Sequence, residues 1–398
     1  VHRVEGVTGR NKVVLTGIVI GLFSCGLKFV ALKPNRIASG AGLYIWSAFS
    51  GSGLLVFILL WAAVLIVFLT AGKKQFVLLQ GITGNVIIIT VFLMVGRATR
   101  FLQSPEMPFA RISMAFGSWL MVLAGYILIH ASVRTLTLKN PKAVLLSLVG
   151  PVAVVLLFST GYLSELSIVK EYLIRRDRFF SEFVRHLILS GTAVLLGIAI
   201  GTPLGVLAFR RKAFEKPAFF FVNTVQTIPS LALFGIMIAP LSILSQRFPF
   251  LRDLGIKGIG SAPALIALTL YALLPITRNT YTSLRVIDPS VVESARGMGM
   301  SRLQVLIHIE APLSIPIIMS GIRISAVQAI GNTTVAALIG AGGFGVFVFQ
   351  GLGQAVPDLI MLGAFPVILL AMIADKLMQL FVKAMTPRGL RYRAEGES

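Results

Sequence analysis

The side chains able to ligate a metal or move a proton are few in this 398-residue chain: 4 histidines, 1 cysteine and 15 carboxylates. His2, His130, His186 and His308 lie far apart, with no His-Glu-x-x-His spacing to set two imidazoles on one helical face, so no metal site is expected. Cys25 stands alone, which excludes an internal disulfide and a cysteine-based metal site; within its apolar run it reads as an inert buried thiol. Gly72-Lys73-Lys74 lacks the glycine spacing and the hydroxyl of a phosphate-binding loop. Gly297-Met298-Gly299 and Gly351-Leu352-Gly353 follow no strand. The chain is therefore expected to hydrolyse no ATP itself, to need no cofactor and to be no enzyme.

Patterned polar residues concentrate between Asp288 and Pro312. Asp288 before Pro289 reads as an N-cap with proline at the first helical position, where a missing amide hydrogen costs nothing. Gly299 suits a left-handed position that closes this helix, and Ser301 with Gln304 three residues on makes a capping box for a second. The spacing predicts helix, tight turn and helix.

Apolar runs must position that segment. The chain is 56% hydrophobic and only 13% charged, with mean hydropathy +0.89, where an ordinary soluble domain has about 25% charged residues. Such a chain needs lipid as its solvent. A hydrocarbon core of about 30 Å takes about 20 apolar residues to cross. Runs of that kind fall at 13–32, 52–70, 76–95, 112–131, 143–162, 187–209, 219–244, 262–282, 313–339 and 358–382. The expected fold is an all-α integral membrane protein of about ten transmembrane helices, the seventh run being interrupted by Pro229 and Pro240. Arg3, Arg10 and Lys12 ahead of the first run, which exceeds a signal-peptide core, read as the start of a retained signal-anchor helix.

The net charge of +21 is scattered through short loops, with no basic face interleaved with aromatics, so it reads as membrane topology and not as a nucleic-acid surface. With both termini in the cytoplasm, segments 1–12, 71–75, 132–142, 210–218, 283–312 and 383–398 hold the larger share of Lys and Arg, including Lys73-Lys74 and Arg210-Arg211-Lys212. Arg175, Arg176, Arg178 and Arg185 run against that bias, in a segment that also holds Glu165, Glu171, Asp177 and Glu182 and reads as an amphipathic surface helix. Asn85 reads as an interhelical hydrogen bond and His130 as an interfacial residue.

The segment at 288–312 resembles the EAA loop of binding-protein-dependent ABC importer permeases: Glu-Ala-Ala, a glycine four residues later, then Ile-x-Leu-Pro. Glu293, Ala295, Gly299, Ile309 and Pro312 fall on that pattern, while Ser294 and Ala311 replace an alanine and the leucine. The resemblance covers roughly 182–383. Within it, 221–233, 271–281 and 331–345 are similar to permeases of osmoprotectant importers, which carry glycine betaine, choline or related quaternary ammonium solutes. It implies a type I ABC importer permease core and a permease subunit of the bacterial cytoplasmic (inner) membrane. The implied partners are a cytoplasmic ABC ATPase docked on the EAA loop, an extracytoplasmic substrate-binding protein, and a second permease copy or paralogue. The expected organisation is an N-terminal extension of about five helices over 1–162, an amphipathic linker over 163–181, the permease domain over 182–383 and a basic cytoplasmic tail over 384–398.

Such a core needs polar groups along its path, and these are costly in lipid unless they face a cavity or one another. Asn223, Gln226 and Thr227 on one helix, and Gln328, Asn332, Thr333 and Thr334 on another, are the candidates, with interhelical hydrogen bonding as the alternative. Arg323 is expected to snorkel or to meet a helix-end carbonyl. The glycine run from Gly340 to Gly345 reads as a flexible outer turn where a binding protein docks. An importer for another small polar solute, such as an amino acid, is the alternative reading. A secondary transporter fits less well, because mid-helix carboxylates for ion coupling are essentially missing apart from Asp375 near a helix end.

Overall fold

The computed structural model describes residues 12–49, 51–70, 76–103, 107–136, 141–253 and 255–386. Lys73-Lys74, the basic start ahead of Lys12 and most of the basic tail lie outside the described residues. The chain divides into two compact units, Val1–Ile174 and Arg175–Ser398.

In the first unit, α1 (Lys12–Cys25) leads into β1 (Lys28–Lys33), β2 (Ala41–Tyr44) and the single turn α2 (Ile45–Ala48). Then follow α3 (Gly51–Thr70), α4 (Phe76–Phe101), β3 (Arg111–Met114), α5 (Phe116–Leu136), α6 (Pro141–Ser159) and α7 (Ser167–Ile174). The first apolar run does not stay helical to residue 32. Turn hydrogen bonds at Gly26 and Leu27 end α1, and β1 becomes the centre of an antiparallel sheet of order β2-β1-β3, with Val30 opposite Leu43 on one side and Met114 on the other. Phe29 and Val30 are fully buried there, so an apolar stretch that reads as helix by composition is stabilised as strand by tertiary pairing.

Val14 and Ile18 of α1, Phe57 and Trp61 of α3, Ile87 and Val91 of α4, and Met121 and Leu128 of α5 share one buried cluster. Asn85 performs the interhelical role expected of it. Its Nδ2 donates to the Leu146 carbonyl (2.9 Å) and its Oδ1 accepts from the Gly150 amide (2.6 Å). Those are the two groups an uninterrupted α-helix joins to each other, and they lie immediately before Pro151, which removes the next amide donor of α6. The side chain of α4 thus completes the backbone of α6.

The second unit holds α8 (Arg176–Arg210), α9 (Lys212–Thr227), α10 (Ser230–Arg247), the single turn α11 (Pro249–Asp253) and α12 (Ser261–Arg285). It continues with α13 (Pro289–Gly297), α14 (Arg302–Val305), a π-helical turn at Leu306–Glu310, α15 (Ala311–Ala336), α16 (Gly345–Gly353) and α17 (Pro357–Met385). The seventh run breaks where Pro229 demands it: Ile228 is extended (φ −72°, ψ 127°), because the proline ring disfavours a helical residue before it. Pro240 sits inside α10 without ending it.

Helix α12 packs against α8 and α15, and α15 against α17. The approach of α8 to α12 is close because Gly197, Gly201 and Gly205 form a stripe at four-residue spacing: a Cβ on Gly197 would sit 2.7 Å from that of Ala272, and one on Gly205 2.7 Å from the Thr277 carbonyl. Buried hydroxyls spend their protons across these contacts, Thr277 on the Gly201 carbonyl (3.2 Å) and Ser325 on that of Ala272 (3.0 Å).

Among the described residues, eight helices are long and apolar enough to cross a membrane, and two shorter apolar helices occupy the first two runs. The protein is mostly helical, as its composition dictates, with a small sheet added. Replacing Asn85 with leucine strands a buried carbonyl and a buried amide in α6, at about 1–3 kcal/mol for an unsatisfied group. The expected outcome for Asn85→Leu is a lower thermal unfolding midpoint in detergent than the wild type shows, measured on the purified full chain.

Candidate functional site

The segment from Asp288 to Pro312 folds from its own local signals. Asp288 is extended and its carboxylate accepts the Ser290 amide at 2.9 Å, with Pro289 opening α13. That hydrogen bond holds the exposed Asp288 carboxyl below its ordinary range, so the cap is complete at neutral pH and is lost in acid as the group protonates. At the other end Gly299 has φ +85°, its amide bonds to the Arg296 carbonyl (2.9 Å), and the Met300 amide reaches back to Ala295 (3.2 Å). This pair of bonds is a Schellman closure. Ser301 and Gln304 then exchange both bonds of a capping box, at 3.3 Å and 2.7 Å.

Ala295 and Val305 are the buried residues of the two short helices, whereas Glu293 and Ser294 are exposed and Ile309 and Pro312 half-buried. Met298, Leu303 and Ile307 expose large apolar side chains; Met298 is 75% accessible. These three form no part of the resemblance, and their signal was available in the sequence as apolar residues inside a polar segment.

The loop is anchored by a contact that local signals do not reveal. Glu310, only 3% exposed, pairs with Arg210 at the end of α8. It closes the π-helical turn, a local widening of the helix that often marks functional positions. Nearby in the chain, the hydroxyl of Tyr281 on α12 donates to Glu215 of α9 (2.7 Å), and the Phe219 ring meets the Tyr281 ring edge-on at 5.1 Å.

The two rows of path candidates lie on α9 and α15, which both pack on α12. Asn223, Gln328 and Asn332 are half-buried. Thr227 and Thr333 satisfy themselves within their own helices, each donating at 2.7 Å to Thr224 and Ala329 carbonyls respectively. Gln226 and Thr334 differ, since Oε1 of the first and Oγ1 of the second are buried with no hydrogen-bond partner. Arg323 finds a carboxylate and not a helix-end carbonyl: its Nε lies 2.5 Å from Asp375 on α17, whose other oxygen accepts from Gln379 at 2.7 Å. The glycine run is held at two of its amides. The Gly343 amide donates to Glu182 (2.6 Å) and the Phe344 amide to His186 Nδ1 (3.3 Å), while Nε2 of His186 lies 3.0 Å from the Ile330 carbonyl. One ring nitrogen accepting and the other donating requires the neutral imidazole with its proton on Nε2.

Residues 193–388, which contain every one of these coupling and path residues, match the family described as binding-protein-dependent transport system inner membrane component. The chain is 42% identical over 212 residues to the carnitine transport permease protein OpuCB of Listeria monocytogenes, covering 53% of this chain and 90% of that protein. The chain belongs to this family of ABC transporter permeases. The permease is also 40% identical over 207 residues to the osmoprotectant import permease protein OsmW of Salmonella typhimurium, covering 52% of this chain and 91% of that one. Among solved structures, the methionine ABC transporter MetNI in an inward-facing form is similar at 23% identity and TM-score 0.45, over 52% of the permease and 97% of that chain. Residues 9–169 match a second description, ABC transporter permease YehY, N-terminal domain.

The permease is thus a multi-pass inner-membrane component, a non-catalytic subunit that works with an ATPase and a binding protein. Breaking a fully buried ion pair costs about 3–5 kcal/mol, and because Arg210 remains about one-third exposed the loss at Arg210–Glu310 falls below that range. Glu310→Ala should therefore lower the unfolding midpoint and increase proteolysis between Arg285 and Ala311. The exchanged pair Arg210→Glu with Glu310→Arg should recover much of both; equal damage in the exchange variant would show that the charges do not act as a pair.

Proposed function

We propose that this permease imports glycine betaine, choline or a related quaternary ammonium osmoprotectant. The observation that carries this reading is its identity of about 40% to permeases named for carnitine and osmoprotectant import, over most of their length. The chemistry of the candidate path is consistent with it. Asn223, Gln226, Gln328, Asn332 and Thr334 offer uncharged dipoles to a solute that is itself a zwitterion or a shielded cation. The carboxylates Glu310 and Asp375 are engaged with arginines, so neither is left to trap a cationic head.

In this reading 182–383 is the permease domain, 1–162 an extension joined by the linker 163–181, and both termini face the cytoplasm. Two permease copies, or this chain and a paralogue, enclose the path. Glu293, Ser294, Ala295, Gly299, Ile309 and Pro312 form the element that meets the ATPase, and the exposed Met298, Leu303 and Ile307 give that contact its apolar area.

Reconstitution in proteoliposomes with the ATPase and binding protein tests the solute. Glycine betaine, choline or carnitine should be taken up on ATP addition and methionine should not; uptake of methionine alone would refute the assignment. The same assay tests the loop. A Cβ at Gly299 would touch nothing within 4 Å, so the effect of Gly299→Val is set by backbone strain, about 1–3 kcal/mol at a left-handed position. Uptake should fall roughly tenfold at normal membrane abundance, whereas Gly299→Asn, which tolerates that backbone region, should retain most of it.

A further inference from the structure

At the end of the second unit remote from the coupling loop, α8 begins with a charge pattern that the transport reading leaves unused. Arg175, Arg176, Arg178 and Arg185 stand there against Asp177 and Glu182. Glu182 accepts from the Gly343 amide at 2.6 Å, and its other oxygen makes a long ion pair with Arg178 at 3.9 Å, beyond hydrogen-bond distance. Arg176 is exposed, and the Arg178 side chain is half exposed. Arginines gathered at that end also run against the distribution that sets membrane topology.

Beside them lies a groove of about 670 Å³ between α8 and α17, within the size range of small-molecule sites. Its walls are Phe179 and Phe183 of α8, Phe344 of the glycine turn, and the stretch of α17 from Phe365 to Ile373. No charged side chain lines it. Arg176, Phe179 and Phe183 are spaced by three and four residues and so share one helical face. The Arg178 guanidinium lies 6.0 Å over the Phe347 ring, which stacks on Phe179 at 6.2 Å. Arg176 thus precedes the slot's two α8 phenylalanines on their own helical face, and Arg178 is linked to the slot through Phe347 and Phe179.

We propose that this groove is a binding site for an anionic phospholipid, one acyl chain lying in the slot and the phosphate held by Arg176 and Arg178. The slot supplies the chemistry an acyl chain recognises, since it offers apolar walls and no polar group to be left unpaired. The guanidinium pair supplies what a phosphate recognises, planar forks that match its oxygens. A neutral or zwitterionic lipid satisfies the first requirement and not the second, so the site should discriminate by headgroup. Basic pockets beside membrane helices that take anionic headgroups follow the same physics.

The test uses the purified full chain, delipidated in mild detergent and supplied with equal amounts of phosphatidylglycerol and phosphatidylcholine, with retained lipid counted by native mass spectrometry. Wild-type protein should retain phosphatidylglycerol roughly tenfold in preference. Arg176→Gln with Arg178→Gln should bring that ratio near one, and Arg176→Lys with Arg178→Lys should keep a reduced preference. Leu369→Trp, which fills the slot, should lower retention of both lipids. A wild-type ratio near one, or a preference that survives the glutamine pair, would overturn the proposal. As a measurement that needs no variant, a photoreactive acyl chain should cross-link within residues 365–373. Cross-links confined to other helices would overturn it too, as would chain-to-chain cross-links from that stretch with no lipid dependence, the sign of a second copy in the groove.

Discussion

Inside hydrocarbon a polar group has no water to fall back on, so a buried donor or acceptor must find its partner within the protein or lose several kcal/mol. That constraint organises both units. Asn85 takes up the carbonyl and amide of α6 beside Pro151. Thr277 and Ser325 turn their protons onto carbonyls of neighbouring helices, and this needs the backbones close, which the glycines of α8 allow. Arg323 with Asp375, and Arg210 with Glu310, settle the charges that the apolar runs could not avoid carrying.

The places where the constraint is not met are then informative. Gln226 and Thr334 keep buried oxygens without partners, as do Gln350 and Gln354 of the segment after the glycine turn. Threonines 227 and 333, from the same two rows, do not share this condition, because each bonds to its own helix. Thr202, Thr280 and Ser314 share this condition outside the two rows, so an unpaired buried oxygen does not by itself mark a path. Among the path candidates, Gln226 and Thr334 are thus the two whose side-chain oxygens are buried and unpaired, whereas Thr227 and Thr333 are bonded within their own helices.

What could be read from the sequence was what is fixed within a few residues. The cap at Asp288, the left-handed Gly299, the Ser301–Gln304 box and the break before Pro229 each depend on neighbours at most five positions away, and each formed where the pattern put it. What escaped depends on residues that meet only after folding. Lys28–Lys33 has the composition of a membrane helix and becomes a strand because β2 and β3 pair with it. Arg323 finds Asp375 across 52 positions and Arg210 finds Glu310 across 100, separations at which periodicity and capping carry no information. At the glycine turn, likewise, Glu182 and His186 reach the Gly343 and Phe344 amides from α8 across 161 and 158 positions, contacts that a run of glycines does not announce.

These two kinds of interaction divide the second unit mechanically. Helix α12 meets α8 through the glycines of α8 and meets α15 at Gly321, where a Cβ would sit 2.6 Å from the Pro275 carbonyl, so the three helices are closely packed. The turn at Leu306–Glu310 departs from that regularity, being wider than the α-helix on either side of it. A load applied to α13 and α14 has two routes into the body: along the backbone of α15, which passes through the widened turn, and through Glu310 to Arg210 at the end of α8. Because Glu310 is both the last residue of that turn and the partner of Arg210, a loop in the proposed coupling role is tied to α8 as well as to α15.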